Sequence, residues 1–228
     1  NPLPYPLWID YGRDNYAGVT WSNIPESDGR RIFLGWMNNW DYGNSVPTQN
    51  FRSAMTLPRE LRLADNGQHL VVASFPVQEV GEERDSNPVI INKLTENPLP
   101  ISADFYNNGY VVSFTVKLNT LKSFSFSLQN SKGEKIVYSF DTTEKTFVVD
   151  RSQSGLTNFS GNFAEPLIKA PLTPKESYTI HLWVDKASTE VFVNGGEVVQ
   201  TNIAFPTEPY NQLWFNLRGN TDVSIENI

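Results

Sequence analysis

Short runs in which apolar and polar residues alternate recur along the chain, separated by clusters of turn-forming residues. Alternation sends successive side chains to opposite faces of an extended backbone, so it predicts strands with one buried face. Tyr16–Trp21 (YAGVTW) and Arg31–Trp36 (RIFLGW) read as two such strands. The cluster Ile24–Arg31 joins them, with Pro25 and Asp28-Gly29 supplying the turn chemistry. Phe51–Leu57 reads as a third strand, and Arg59–Leu63 as a fourth, separated by Pro58. Asp65-Asn66-Gly67 predicts the next turn and His69–Phe75 the return strand, which completes a small antiparallel meander. Pro2, Pro4 and Pro6 predict an extended lead-in, because proline fixes φ and has no N–H to donate.

Residues 76–100 break the pattern with Pro76, Pro88, Pro98 and Pro100 and an acidic cluster at Glu79, Glu82, Glu83 and Asp85. They read as a junction between an N-terminal part, 1–75, and a C-terminal part, 101–228. Beyond residue 100 the strands are short and recur every 8–12 residues or so, which is the spacing of a β-sandwich. They are Tyr110–Leu118, Ser123–Leu128, Lys135–Asp141, Thr146–Asp150, Tyr178–Val184, Thr189–Val193, Leu213–Leu217 and Val223–Ile225. Asn194-Gly195, between Val193 and Val198, is the clearest hairpin signal. No amphipathic stripe of useful length occurs, so the expected class is all-β with very little helix.

Composition narrows the function classes. The chain has 228 residues and no cysteine, which rules out disulfides, a thiol nucleophile and a Cys-based metal site. Eighteen Lys+Arg stand against 25 Asp+Glu, a net charge of −7, so the basic footprint of a nucleic-acid binder is missing. No run approaches the ~20 apolar residues of a membrane-spanning helix. The first residue is Asn1 rather than Met, which reads as the start of a processed or cut chain.

The two histidines, His69 and His181, read as half-buried structural residues; with no His-x₃-His or HExxH, neither a metal site nor a cofactor is expected. No GxSxG elbow or phosphate loop occurs. Carboxylates remain. Glycosidic chemistry needs one protonated acid and one ionised partner close together. Asp10, Asp14 and Asp41 lie near Tyr16, Trp21, Trp36 and Trp40 in sequence, with amides at Asn38 and Asn39. Aromatic faces that stack on C–H groups, beside groups that bind hydroxyls, make a sugar site. The same residues also fit core aromatics with solvated acidic turns.

Several segments carry a resemblance. Gly35–Trp40 (GWMNNW), Pro47-Thr48 and Arg52–Leu61 (RSAMTLPREL) resemble glycoside hydrolase family 32, which contains invertases, exo-inulinases and levanases. Asp10–Trp21 (DYGRDNYAGVTW) is similar to the family's D-x-G-x-D-F-Y-A-x-x-T-W segment, with Asn15 in the Phe position. Val149–Gly155, Ile180–Val193 and Phe205-Pro206 resemble its C-terminal motifs. The resemblance implies the last blade of a five-bladed β-propeller followed by a C-terminal β-sandwich. It also implies retaining hydrolysis of β-fructosides through an Asp nucleophile and a Glu acid/base. The family's W-M-N-D-P-N-G, R-D-P and E-C segments, which hold the three catalytic carboxylates, do not occur here; in Trp36–Trp40 (WMNNW), Asn39 takes the Asp position.

By this resemblance the chain is a C-terminal fragment with no catalytic residue of its own, inactive alone. It would supply a pocket wall and a stabilising sandwich. Trp36 is expected to wall the fructosyl subsite, supported by Asp14, Tyr16 and Asn38. Arg52 and Arg59 would orient blade carboxylates. Trp183 and Trp214 alternate with apolar neighbours, so they read as core in preference to a sugar platform, and their burial would count against the binding-module alternative given below. The expected partners are a fructan or sucrose substrate, the missing N-terminal blades, and a second copy in a homodimer, with no nucleic acid and no membrane. Family habit places such enzymes outside the cell or in the periplasm. The alternative is a non-catalytic sandwich that binds fructan or dimerises. In either case residues 1–70 should dock on the sandwich or pair with another copy, because a lone blade leaves strand edges and faces uncovered.

Overall fold

The computed structural model describes residues 3–80, 98–101, 109–118, 122–164, 167–216 and 223–224. All strand pairings among them are antiparallel, and they form three sheets. The first is the meander: β1 (Tyr16–Thr20), β2 (Ile32–Met37), β4 (Arg59–Asp65) and β5 (Leu70–Pro76) in spatial order, with the short β3 (Ala54–Met55) beside β2. The predicted third strand thus shrinks to two residues. Most of that stretch is irregular and exposed, held by side chains such as Thr48, which donates to the Phe51 carbonyl.

The other two sheets make a sandwich. One runs β11 (Ile168–Pro171), β10 (Thr146–Gln153), β9 (Lys135–Asp141), β8 (Ser123–Gln129), β15 (Gln212–Asn216), β6 (Leu99–Pro100). Its partner runs β14 (Val198–Ile203), β13 (Ser188–Val193), β12 (Ser177–Asp185), β7 (Tyr110–Lys117), β16 (Val223–Ser224). Alternate residues of β7, β8, β9, β10 and β12 enter one core, where Phe124, Phe140 and Phe147 stack in file at 4.4 Å spacings. The Val223–Ile225 expectation is met at Val223–Ser224, while Ile225 and Leu217 lie outside the described residues.

The meander sits on the outer face of the second sandwich sheet. This explains a departure from simple alternation: β13 and β14 are buried at every position after the first. Val191 and Val193 enter the sandwich core, while Glu190 and Phe192 face the meander. Phe75 of β5 wedges between Phe192, Trp183 and His181, with ring centroids 5.1–5.7 Å apart. Residues 11–14 lie along β14, whose open edge they cover. Tyr11 N–H donates to the Val199 carbonyl at 2.8 Å and Asp14 N–H to the Thr201 carbonyl at 3.1 Å.

Trp183 therefore packs between the two units and not in the sandwich core. Trp214 is half-buried on the outer face of the other sheet, its indole N–H donating to Gln212 at 3.2 Å. Their alternation was right. It could not say which face of each sheet is covered, and by what.

The Asn194-Gly195 hairpin forms as a four-residue turn between Val193 and Val198, with positive φ at Asn194, Gly195 and Gly196. Gly196 also meets β5: Ser74 N–H donates to its carbonyl at 3.1 Å, and a Cβ here would land on the Ser74 backbone. Gly196→Ala is thus expected to cost about 1–3 kcal/mol through backbone strain alone, and to loosen the meander. Urea unfolding with limited proteolysis checks this. A loss below about 0.5 kcal/mol would mean that the contact yields freely.

Candidate functional site

β1 and β2 place three rings together. Tyr16 pairs with Trp36 across the ladder, their centroids 6.1 Å apart and edge-on. Trp40, on the loop after β2, lies 5.0 Å from Trp36. Tyr16 is 50% and Trp40 68% exposed, and Trp36 is half-buried between them. A β-bulge sets the aim of Tyr16. Two residues between Tyr16 and Val19 (Ala17 and Gly18) oppose one, Gly35, between Leu34 and Trp36, and Ala17 takes φ +49°. Gly18 follows because the Phe33 ring occupies the space of a Cβ.

The polar residues stand behind this wall. Asp14 is fully buried. Its Oδ1 accepts from Tyr42 Oη at 2.6 Å and Asn39 Nδ2 at 3.1 Å. Its Oδ2 accepts from Arg151 at 2.6 Å and Ile203 N–H at 2.8 Å. Asn38 is 1% exposed; its Oδ1 accepts from Asn39 N–H at 2.9 Å and its Nδ2 donates to Ser53 Oγ at 3.3 Å. Of the four residues expected at the subsite, Tyr16 and Trp36 thus form the surface. Asp14 and Asn38 are spent on internal bonds that shape the loop carrying Trp40. Asp41 is exposed and pairs with Arg13 at 2.7 Å.

Two buried arginines link meander to sandwich in opposite directions. Arg59 of β4, fully buried, reaches Asp10 at 2.8 Å, and in the sandwich Glu190 at 2.5 Å and Thr201 Oγ1 at 2.6 Å. It orients one carboxylate of its own unit, as expected, and also one across the boundary. Burial and Arg59 compete at these acids. Burial raises the Asp10 carboxyl, but the Arg59 charge and hydrogen bonds from Thr201, Arg59 and Asn15 outweigh it, so Asp10 titrates below its ordinary range. At Glu190 burial wins over Arg59 and the Leu57 amide, and the carboxyl is raised. Arg151 of β10 makes the reciprocal link to Asp14 and Tyr42, its guanidinium 4.1 Å over the Phe163 ring. Arg52 donates to the Asn44 carbonyl and remains within its own loop.

Arg151 and Glu190 were not singled out from sequence. The signal was present for Arg151: it falls in phase with the buried Phe147 and Val149, a charge where the alternation asks for an apolar side chain.

Comparison with known proteins bears on this arrangement. A sequence model of the glycosyl hydrolases family 32 N-terminal domain matches residues 4–74, and one of the family 32 C-terminal part matches residues 79–228. The chain belongs to glycosyl hydrolase family 32. The levanase of Bacillus subtilis (strain 168) is 37% identical over 212 residues, covering 90% of this chain and 31% of the levanase. The extracellular exo-inulinase of Aspergillus awamori is 29% identical over 207 residues, covering 88% of this chain and 38% of that enzyme. Among solved structures, an exo-inulinase from Aspergillus awamori superposes with a TM-score of 0.82 at 26% identity, over 96% of this chain and 44% of that one. The β-fructofuranosidase of Schwanniomyces occidentalis, at 23% identity and TM-score 0.77, shares the fold. This chain thus spans less than half of each family 32 relative. The meander and sandwich fit the C-terminal blade and sandwich of the family, and the rings and buried arginines belong to that blade and its seat.

Proposed function

We propose that the chain forms the C-terminal part of a retaining β-fructosidase that hydrolyses fructans or sucrose. Its own share is a wall of the fructosyl subsite and the sandwich that seats the last blade. The observation that carries this reading is the wall itself: Tyr16, Trp36 and Trp40 lie together on a segment matched by the family's N-terminal model. Rings of this kind stack on the C–H faces of a sugar. Trp36 is the main contact and Tyr16 flanks it, while Asp14 and Asn38 hold the loop from behind. The chemistry would come from an Asp nucleophile and a Glu acid/base in preceding blades, whose sequence motifs this chain lacks. The relatives include an extracellular exo-inulinase, and we assign this enzyme to the same side of the membrane.

The exposed apolar residues of the meander support a role for preceding blades. Leu63 and Val72 pair across β4 and β5, with Leu70 beside them, and they are 75%, 42% and 61% exposed. Such a patch needs cover. The alternative, a fructan-binding sandwich, loses one of its two candidate platforms, since Trp183 is engaged by Phe75 and Phe192.

The test is fructose release from sucrose, inulin and levan by the purified chain, beside an intact relative. No release by the chain is expected, because loss of nucleophile and acid costs several orders of magnitude, about 10⁴ or more. Release that survives repurification would sink the proposal and make Asp10, Asp14 and Asp41 the first residues to replace.

A further inference from the structure

The cluster of Arg151, Asp14 and Tyr42 is unusual for its cost. All three side chains are nearly or completely buried, at 1%, 0% and 2% exposure. Buried ion pairs are poor stabilisers: desolvation offsets most of their attraction, and apolar replacements often do as well. The placement of this one suggests another reason for it. Arg151 belongs to the sandwich, whereas Asp14 and Tyr42 belong to the meander, and they bracket the rings in sequence. Asp14 lies two residues before Tyr16, and Tyr42 two residues after Trp40. One guanidinium nitrogen donates to Asp14 Oδ2 at 2.6 Å and to the Ile203 carbonyl at 3.0 Å. The other donates to Tyr42 Oη at 2.6 Å, and that hydroxyl in turn donates to Asp14 Oδ1 at 2.6 Å. Asp14 also holds Asn39, whose amide donates to the Arg13 carbonyl at 3.0 Å. Both ends of the segment that carries the rings are therefore fastened to one sandwich side chain.

We infer that Arg151 is a positioning residue: from the sandwich, it sets the angle and spacing of the aromatic wall on the blade. Its value for turnover rests on the reading of that wall as a fructosyl subsite, and two readouts separate these claims. The geometric readout is the exciton couplet of Trp36 and Trp40, a pair of opposite-signed bands at the long-wavelength end of the far-ultraviolet circular dichroism, identified as the signal that Trp40→Phe removes. Rings 5.0 Å apart and inclined at 58° are placed to couple. Arg151→Met should abolish most of this couplet while the backbone bands at shorter wavelength persist. Leu182→Ala, which opens a hole in the sandwich core away from the network, should destabilise the protein and leave the couplet intact. Arg151→Lys, which cannot make the forked contact, should restore only part of it. Should Arg151→Met not fold, Tyr42→Phe keeps the ring, removes the bridging hydroxyl and should weaken the same signal. A couplet unchanged in every folded variant overturns the positioning role. The second readout uses the intact enzyme that carries this chain. There the same Arg151 variant should raise KM for sucrose about tenfold and lower kcat by no more than about threefold, the split expected of a binding surface. A lost couplet with an unchanged KM supports the positioning of the rings and overturns their assignment as a subsite.

Discussion

Replacing Arg59 with methionine is expected to cost about 3–5 kcal/mol of folding free energy, the usual result of removing one partner from a buried ionic group. Methionine fills much of the same volume, so the loss is electrostatic rather than a cavity effect. Asp10 and Glu190 would then face one another across the boundary without the cation between them. Asp10 keeps the Thr201 amide at 2.9 Å and the Gly12 amide at 2.8 Å, but Glu190 keeps only the Leu57 amide, at 3.0 Å, among its described donors. Glu190 is already raised in the native protein by burial, and without Arg59 it rises further. A carboxyl raised in the folded state adds stability below its unfolded pKa and loses it as pH climbs through the folded value. The deficit of the variant should therefore shrink between pH 7 and about pH 5, where protonation of Glu190 relieves the repulsion. Urea unfolding at both pH values measures this. A deficit under about 1 kcal/mol, within the range of an exposed pair, or one that grows on acidification, would refute it.

Phe140→Ala is expected to lower stability by a similar amount, about 3–5 kcal/mol, for a different reason. Phe140 is 1% exposed and lies between Phe124 and Phe147, 4.4 Å from each, with Phe126 and Tyr178 at 6.2 and 5.8 Å. The file of rings spans β8, β9 and β10, so the vacated volume has stiff walls and collapses poorly. In a chain of this size each kcal/mol shifts the melting temperature by about 2–4 °C, which predicts a fall on the order of 10 °C by calorimetry. Removing the side chain of Leu63, which is 75% exposed, should move it by no more than about 2 °C. Equal shifts at the two positions would mean that the packed centre of this protein lies somewhere other than between the sandwich sheets.

The strands were legible where one rule decided them. Lys135–Asp141 alternates cleanly: Ile136, Tyr138 and Phe140 line the core face, and the residues between them face outward because only one face is buried. The same rule failed where a second unit covers the outer face. Val198–Ile203, not among the strands read from the sequence, carries three polar residues in a row, yet Gln200, Thr201 and Asn202 are fully buried. Each faces a partner far away in sequence: Gln200 donates to the carbonyls of Phe147 and Ile168, Thr201 binds Asp10, and Asn202 accepts from the Arg13 amide. Ile168–Pro171 went unread because four residues beside irregular chain carry no period. At the candidate site, the motifs led to the rings and to the acids near them. They could not show which side chains reach the surface. Asp14 and Tyr16 are two residues apart, and one is fully buried while the other is half exposed. The bulge at Ala17 and the guanidinium from β10 decide that, and neither leaves a local mark near residue 14.

The reciprocal arginines also bear on how such chains can be recombined. A crossover between two related genes in residues 76–98 would join the meander of one parent to the sandwich of another. Each half would then bring a cation shaped to the other half's acids: Arg59 for Glu190 and Arg151 for Asp14. Hybrids would keep each contact only where both of its residues match, and a mismatch at a single position would strand a charge in the seam. Shuffled libraries of these enzymes should therefore yield functional offspring in blocks, with those four positions travelling together and the exposed turns around them free to mix.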